Sequence, residues 1–211
     1  CEVEEPPQIE VKDILGIDLG IVNIAADSDG ETHSGGQVNG LRKRHARLRA
    51  RLQAKGTRAA HRLLKKSSGK EKRFARHTNH CISKVLVAKA KGTKRAIALE
   101  DLQGIRSRLT VRKPQRRQQH SWAFAQLRAF IEYKARLIGV PVVVVDPRNT
   151  SRACPRCGMV DKHNRLSQAR FQCCTCGFAG PADIVAATNI RERGRAAVNR
   201  PDFSPAPGGV G

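Results

Sequence analysis

Residues 14–20 read ILGIDLG, four apolar side chains and two glycines around one carboxylate, Asp18. A short apolar run bounded by glycine reads as a buried strand, and an ionised group inside such a run is costly unless it is paired or holds a metal. Asp18 therefore calls for partners elsewhere in the chain. Downstream, Ile21 to Ser28, an Asp29-Gly30 turn and Glu31 to His33 read as a hairpin that continues the same sheet.

From residue 37 to 91 the period becomes helical. Leu41, His45, Leu48 and Leu52 recur at steps of four, three and four. A second helix is expected after Ser67-Ser68-Gly69, with Phe74, Thr78, Cys81, Ile82, Val85 and Leu86 on one face and Cys81 as a small core side chain. The pair is a basic helical hairpin, whose charges suit a nucleic-acid surface as well as a solvated face. Arg95 to Leu99 reads as a strand with Glu100 and Asp101 at its end. Residues 103–119 carry Arg106, Arg108, Arg112, Lys113, Arg116 and Arg117 with little apolar content, which predicts a basic lid loop. A helix from Ser121 to Ile138 stops at Gly139, and Val140 to Val145 is a buried strand ending in Asp146-Pro147. The last helix is expected from Ala182 to Arg193, ending at Gly194, and residues 195–211 as a disordered tail. The alternation of strands and helices predicts an α/β fold.

At 211 residues the chain can bury one core plus a small insert. Its 40 Lys and Arg against 18 Asp and Glu give a formal charge of +22, a field that attracts polyanions; nucleic acid is the expected partner, and a basic protein merely kept soluble is the alternative. No apolar run approaches the ~20 residues of a membrane helix, and the opening CEVEEPPQIE lacks the pattern of a signal peptide, so a cytoplasmic, nucleoid-associated protein is expected. A chain that opens on Cys1 rather than Met is expected to be a piece of a longer one, with residues 1–13 as the linker from a preceding region.

Four of the seven cysteines fall in two C-x-x-C pairs, Cys154/Cys157 and Cys173/Cys176, separated by 15 residues and each followed by Gly. Two thiolate pairs on tight turns close a tetrahedral Zn²⁺ site with no open position, which makes the metal structural. Cys174 could stand in for Cys173, but only Cys173 keeps the two-residue gap. The zinc ribbon is expected over 150–180. Glu100 at a strand end and Asp183 at the start of the last helix are the candidate partners of Asp18. Three such carboxylates from separate elements could hold two Mg²⁺ about 4 Å apart, which is phosphodiester chemistry. Each acid could instead be a strand-end or capping residue, and Asp101 and Asp146 are reserve candidates.

These segments resemble the TnpB family of transposon-encoded proteins, relatives of the type V CRISPR nucleases. The likeness rests on Gly16-Ile-Asp18-Leu-Gly20, Leu99-Glu100-Asp101-Leu102, HSWAFAQLRAFIEYKARLIGVPV, TSRACPRCG, FQCCTCG and Asp183-Ile-Val-Ala-Ala-Thr-Asn189-Ile190, in that order over residues 14–194. The resemblance implies an RNase H-like (RuvC) nuclease domain over 14–149 and 181–194, with Asp18, Glu100 and Asp183 as its catalytic, Mg²⁺-binding triad and Cys154, Cys157, Cys173 and Cys176 as zinc ligands. It also implies a guide RNA, transcribed from the transposon end, that pairs with target DNA. The family usually has Asn two residues after the last Asp, where this chain has Val185, and the family's N-terminal half is expected to be missing from these residues. A non-catalytic zinc-ribbon remnant or a transposition regulator is the rival reading.

Overall fold

Strand β1 (Asp13–Asp18) is the axis of a five-stranded sheet. It pairs antiparallel with β2 (Asn23–Asp27), which pairs antiparallel with β3 (Thr32–Ser34); on its other edge it pairs parallel with β4 (Arg95–Glu100), and β4 pairs parallel with β5 (Val142–Val145). The order is β3-β2-β1-β4-β5. The computed structural model describes residues 6–102 and 124–199. The expected lid, 103–119, lies outside them, as do residues 1–5 of the expected linker, Ser121 to Ala123 of the expected helix, and residues 200–211 of the expected tail.

The register aligns Ile14 with Ala96, Leu15 with Ile97, Gly16 with Ala98 and Ile17 with Leu99, so strand alternation sorts the side chains onto two faces. Leu15, Ile17, Ile97 and Leu99 bury themselves under helices α2 (Arg58–Gly92) and α3 (Phe124–Leu137), in a core with Leu86, Leu127 and Ile131. On the other face Ile14, Ala96 and Ala98 meet Ile190 of the last helix, α4 (Ala182–Val198). Gly16 is placed there because nothing larger fits. A Cβ on it would lie 2.2 Å from the Ala187 carbonyl oxygen and 2.5 Å from the Arg191 amide nitrogen.

Helix α1 (Gly36–Lys55) and α2 form the basic hairpin, but its break falls at Gly56-Thr57 rather than at Ser67-Ser68-Gly69. Gly56 adopts a left-handed φ of 61° that stops α1, and the Thr57 hydroxyl accepts the Ala60 amide to start α2. Gly69 lies inside α2, and its helix cost of ~1 kcal/mol is absorbed by a 35-residue helix packed at both ends. The buried stripe of α2 includes Asn79, Ile82, Ser83, Leu86, Val87 and Ala90; Cys81 and Val85 fall one position off it and are exposed, so Cys81 is not a core residue. Near its C-terminus, Lys89 bonds the fully buried Asp27 carboxylate and lies 3.1 Å from both Asp29 and Glu31, which ties α2 to the β2–β3 turn and satisfies the buried charge.

Gly139, with φ 73°, ends α3 as expected of a glycine stop. Gly194 does not end α4, which runs on to Val198. It is a contact residue: a Cβ there would come within 2.8 Å of Ala98 Cβ and 2.9 Å of Ile14 Cγ2. The added turn is held by Arg195, which donates to both oxygens of Asp13 at 2.8 and 2.9 Å, so the expected tail is helical as far as residue 198.

Gly194→Ala gives a sign test of this packing. In a solvent-facing helix the change would stabilise by about 1 kcal/mol. Against β1 and β4 it should destabilise by roughly 1–3 kcal/mol, read as a lower urea midpoint with an unchanged slope.

Candidate active site and cysteine cluster

Asp18 and Glu100 are the last residues of β1 and β4, one step beyond the Ile17–Leu99 pair. Alternation puts both on the face of Ile14, Gly16, Ala96 and Ala98, the face that α4 crosses. Asp183 is in the first turn of α4, where the exposed amides of a helix N-terminus favour a carboxylate. Burial, reinforced by the charges of Glu100 and Asp183, pushes Asp18 up to about 8, with Arg165 opposing. Burial also raises Glu100, against a hydrogen bond from Thr150 and the charges of Arg193 and Arg165. The charges of Glu100 and Asp183 thus both reach Asp18. The three acids do not gather as closely as the cysteines described below: among the described residues, only those four sulfurs form a group of potential ligands all within 4.8 Å of one another.

Several side chains that pattern alone did not single out hold these acids. Asn23 Nδ2 donates to Asp183 Oδ2 at 2.8 Å, and an Arg165 guanidinium nitrogen lies 3.8 Å from Asp183 Oδ1. The Thr150 hydroxyl donates to Glu100 Oε1. Among 40 Lys and Arg nothing marks Arg165 in the sequence, and Asn23 and Thr150 stand out only as polar residues beside β1 and the first cysteine knuckle. The reserve acids serve elsewhere. Asp101 faces Arg128 at 3.1 Å, and Asp146 accepts the Arg148 amide at 2.9 Å, although its charge also helps raise Glu100.

Cys154, Cys157, Cys173 and Cys176 come together, with 3.6 Å between the sulfurs of Cys154 and Cys176 and 3.6 Å between those of Cys157 and Cys173. Sulfurs bound to Zn²⁺ at about 2.3 Å in a tetrahedron stand about 3.8 Å apart, so the donor set fits zinc. Gly158 and Gly177, with φ of 74° and 72°, close the two knuckles by donating to the carbonyls of Cys154 and Cys173. The Cys176 amide, assisted by that of Thr175, holds the Cys173 thiol down at about 6 against burial. Cys174 is exposed and outside the group.

Two buried asparagines lock this insert. Asn164, fully buried, donates to the carbonyls of Arg152 (2.9 Å) and Met159 (3.1 Å) and accepts the Cys174 amide (2.9 Å), joining the two knuckles. Asn189 of α4 donates to the carbonyls of Thr150 (2.7 Å) and Ala153 (2.8 Å), anchoring the insert's entry. Val185 packs with Cys154, Phe171, Cys173 and Ala182 in the small apolar core of the insert. Its apolar character is explained by that seam.

Two family models match the chain: "Probable transposase" (OrfB_IS605) over residues 1–103, which holds Asp18 and Glu100, and "Cas12f1-like, TNB domain" over 124–190, which holds the cysteines and Asp183. The TnpB-like protein MJ0751 of Methanocaldococcus jannaschii is 38% identical over 129 residues, covering 61% of this chain and 46% of that protein. The chain is thus a relative of TnpB-like proteins. Another relative, the CRISPR-associated endodeoxyribonuclease Cas12f1 of Sulfoacidibacillus thermotolerans, is 33% identical over 207 residues, covering 87% of this chain and 47% of that protein. The chain spans about half the length of the curated relatives it matches. Its fold is that of a chain in a cryo-EM structure of the Cas12f1-sgRNA-target DNA complex, with a TM-score of 0.68 at 21% identity over 90% of this chain and 51% of that one.

Asn164→Ala should lower the stability of the insert by roughly 1–3 kcal/mol, because three backbone groups lose the partner that buried Asn164 supplies; faster hydrogen exchange confined to residues 150–181 would register it. The raised acid gives a pH prediction. Unfolded Asp18 releases its proton near 3.8 and folded Asp18 near 8, so without divalent cations the folded state binds more protons between those values, and stability falls as pH rises through them. Melting temperatures from pH 5 to 8 should fall less for Asp18→Asn than for the parent chain.

Proposed function

We propose that this chain is the DNA-cleaving portion of an RNA-guided endonuclease: an RNase H-like (RuvC) domain over residues 14–149 and 181–194 carrying an inserted zinc ribbon over 150–180. The observation that carries the reading is geometric: Asp18 and Glu100 end adjacent parallel strands on the face that α4 crosses, and Asp183 lies in the first turn of that helix, with burial and the charges of the other two pushing Asp18 up to about 8. Hard carboxylate oxygens of this kind suit Mg²⁺. When bound there, a pair of such cations supplies water activation and neutralises the leaving oxygen of a phosphodiester. The protein's own contribution is orientation: Asn23 fixes Asp183, Thr150 fixes Glu100, and Arg165 partly balances the charge of all three.

The antiparallel β1-β2-β3 meander continued by parallel β4 and β5 supports the RNase H-like reading. The zinc ribbon is structural in this scheme, because four thiolates leave the ion no open position. Residues 36–92 carry 18 Lys and Arg against the single acid Glu71, so the α1–α2 hairpin is the surface that gathers nucleic acid by counterion release. Target DNA and a guide RNA from the transposon end are the proposed partners. The name and the complex borne by the Cas12f1 relatives support that choice, and base pairing would supply the sequence specificity. Such a protein works on the chromosome in the cytoplasm. Among the described residues, no helix is long and apolar enough to cross a membrane.

End-labelled single-stranded DNA incubated with the chain should be cut with Mg²⁺ and left intact without it. Asp18→Ala should lower the rate by at least about 10³-fold, leaving zinc content and far-UV dichroism unchanged. Cutting by Asp18→Ala would overturn the triad, and salt-dependent binding with no cutting by the parent chain would favour the non-catalytic reading. Cys157→Ser should lose bound zinc and melt at lower temperature; full zinc occupancy in that variant would overturn the ligand set.

A further inference from the structure

We propose that Thr150 is a positioning residue for Glu100, setting the plane of its carboxylate toward the divalent-cation site; the inference rests on the proposed role of the three acids. Thr150 is buried, and its hydroxyl donates to Glu100 Oε1. The Pro147 carbonyl, 3.0 Å from the same hydroxyl, is a competing acceptor. A hydroxyl has one proton, and an ionised carboxylate is the stronger acceptor, so the bond goes to Glu100 whenever Glu100 is charged. Engaging one oxygen of a planar group fixes where the other must lie.

The donor is itself held. Asn149, with a left-handed φ of 62°, turns the chain after β5, and its carbonyl accepts the amides of Arg152 and Ala153 at 3.0 and 2.9 Å. Asn189 then grips the Thr150 carbonyl from α4, six residues after Asp183 on the same helix. Thr150 therefore sits at a junction. Through Asn189 it is fixed to the helix that carries Asp183, and through the chain it leads into the first knuckle. The arrangement makes Glu100 and Asp183 share a frame although they come from different elements, and it carries the order of the cysteine insert to the acid on β4. Buried hydrogen-bond partners of metal-binding carboxylates act in this way, by restricting the ligand before the ion arrives.

Mn²⁺ binding to the full chain, followed by loss of its free-ion paramagnetic resonance signal, tests the proposal without requiring cleavage. Asp18→Asn defines the site-specific part of that binding. Thr150→Val keeps the shape and removes the donor, whereas Thr150→Ser keeps the donor; the Val variant should bind Mn²⁺ about 10-fold more weakly and the Ser variant within about threefold of the parent. Zinc content and melting temperature report folding, and Thr150→Ala is the second probe if the Val variant does not fold. Unchanged Mn²⁺ affinity in the folded Val or Ala variant, with binding lost in Asp18→Asn, overturns the role of Thr150 alone. A Ser variant as weak as the Val variant assigns the effect to packing and also overturns it. If Asp18→Asn binds Mn²⁺ like the parent, the reading of the acids fails first.

Discussion

The contact on which the rest depends is backbone against backbone. Helix α4 lies so close to β1 and β4 that Gly16 has no room for a Cβ against the Ala187 carbonyl, and Gly194 none against Ala98 and Ile14. Interiors are packed to crystal density, so a single methyl at either place would lift the helix off the sheet. Because the helix is fixed at that height, its first turn delivers Asp183 to the side of the sheet where Asp18 and Glu100 end their strands. Arg195 on Asp13 secures the other end of the same helix.

The cysteine insert is built onto this frame rather than beside it. It enters from β5 through Thr150 and returns through β7 (Ala179–Pro181) directly into α4, so its two ends are the two approaches to the acids. Strand β6 (Arg170–Gln172) pairs with β7 and places Phe171, fully buried, between the knuckles and α4. Asn164 then does for the knuckles what a hydrophobic core of that size could not, satisfying three backbone groups at once. The insert also returns a charge to the acids, since Arg165 follows Asn164 and acts on all three.

Charge is partitioned across the molecule. The α1–α2 hairpin concentrates cations far in excess of acids, while the sheet buries carboxylates of two kinds. Asp27 is fully buried, and its carboxylate accepts from Lys89 and from the amides of Asp29 and Glu31, so its oxygens find partners within the fold. Among the described residues, no lysine bonds Asp18. Its burial is opposed by the charge of Arg165 and the Leu19 amide, and neighbouring acids worsen it. The contrast separates a carboxylate that stabilises the fold from one whose ionisation the fold resists.

The sequence by itself marked the five strands of the main sheet, the zinc-spaced cysteines, the candidate acids and the excess of positive charge, because each is written in local pattern: apolar runs, C-x-x-C spacing, a carboxylate in an apolar strand, an excess of Lys and Arg. It placed the hairpin break at Ser67-Ser68-Gly69, since polar small residues imitate a turn, whereas the stop is the left-handed Gly56 with the Thr57 cap. It ended the last helix at Gly194, since a glycine that ends a helix and a glycine that lets a helix touch a sheet look alike in one dimension. Only the tertiary structure decided which acids share a field and which side chains hold them. Asn23 and Asp183, or Thr150 and Glu100, are far apart along the chain, and hydrogen bonds between such residues leave no period or spacing to read.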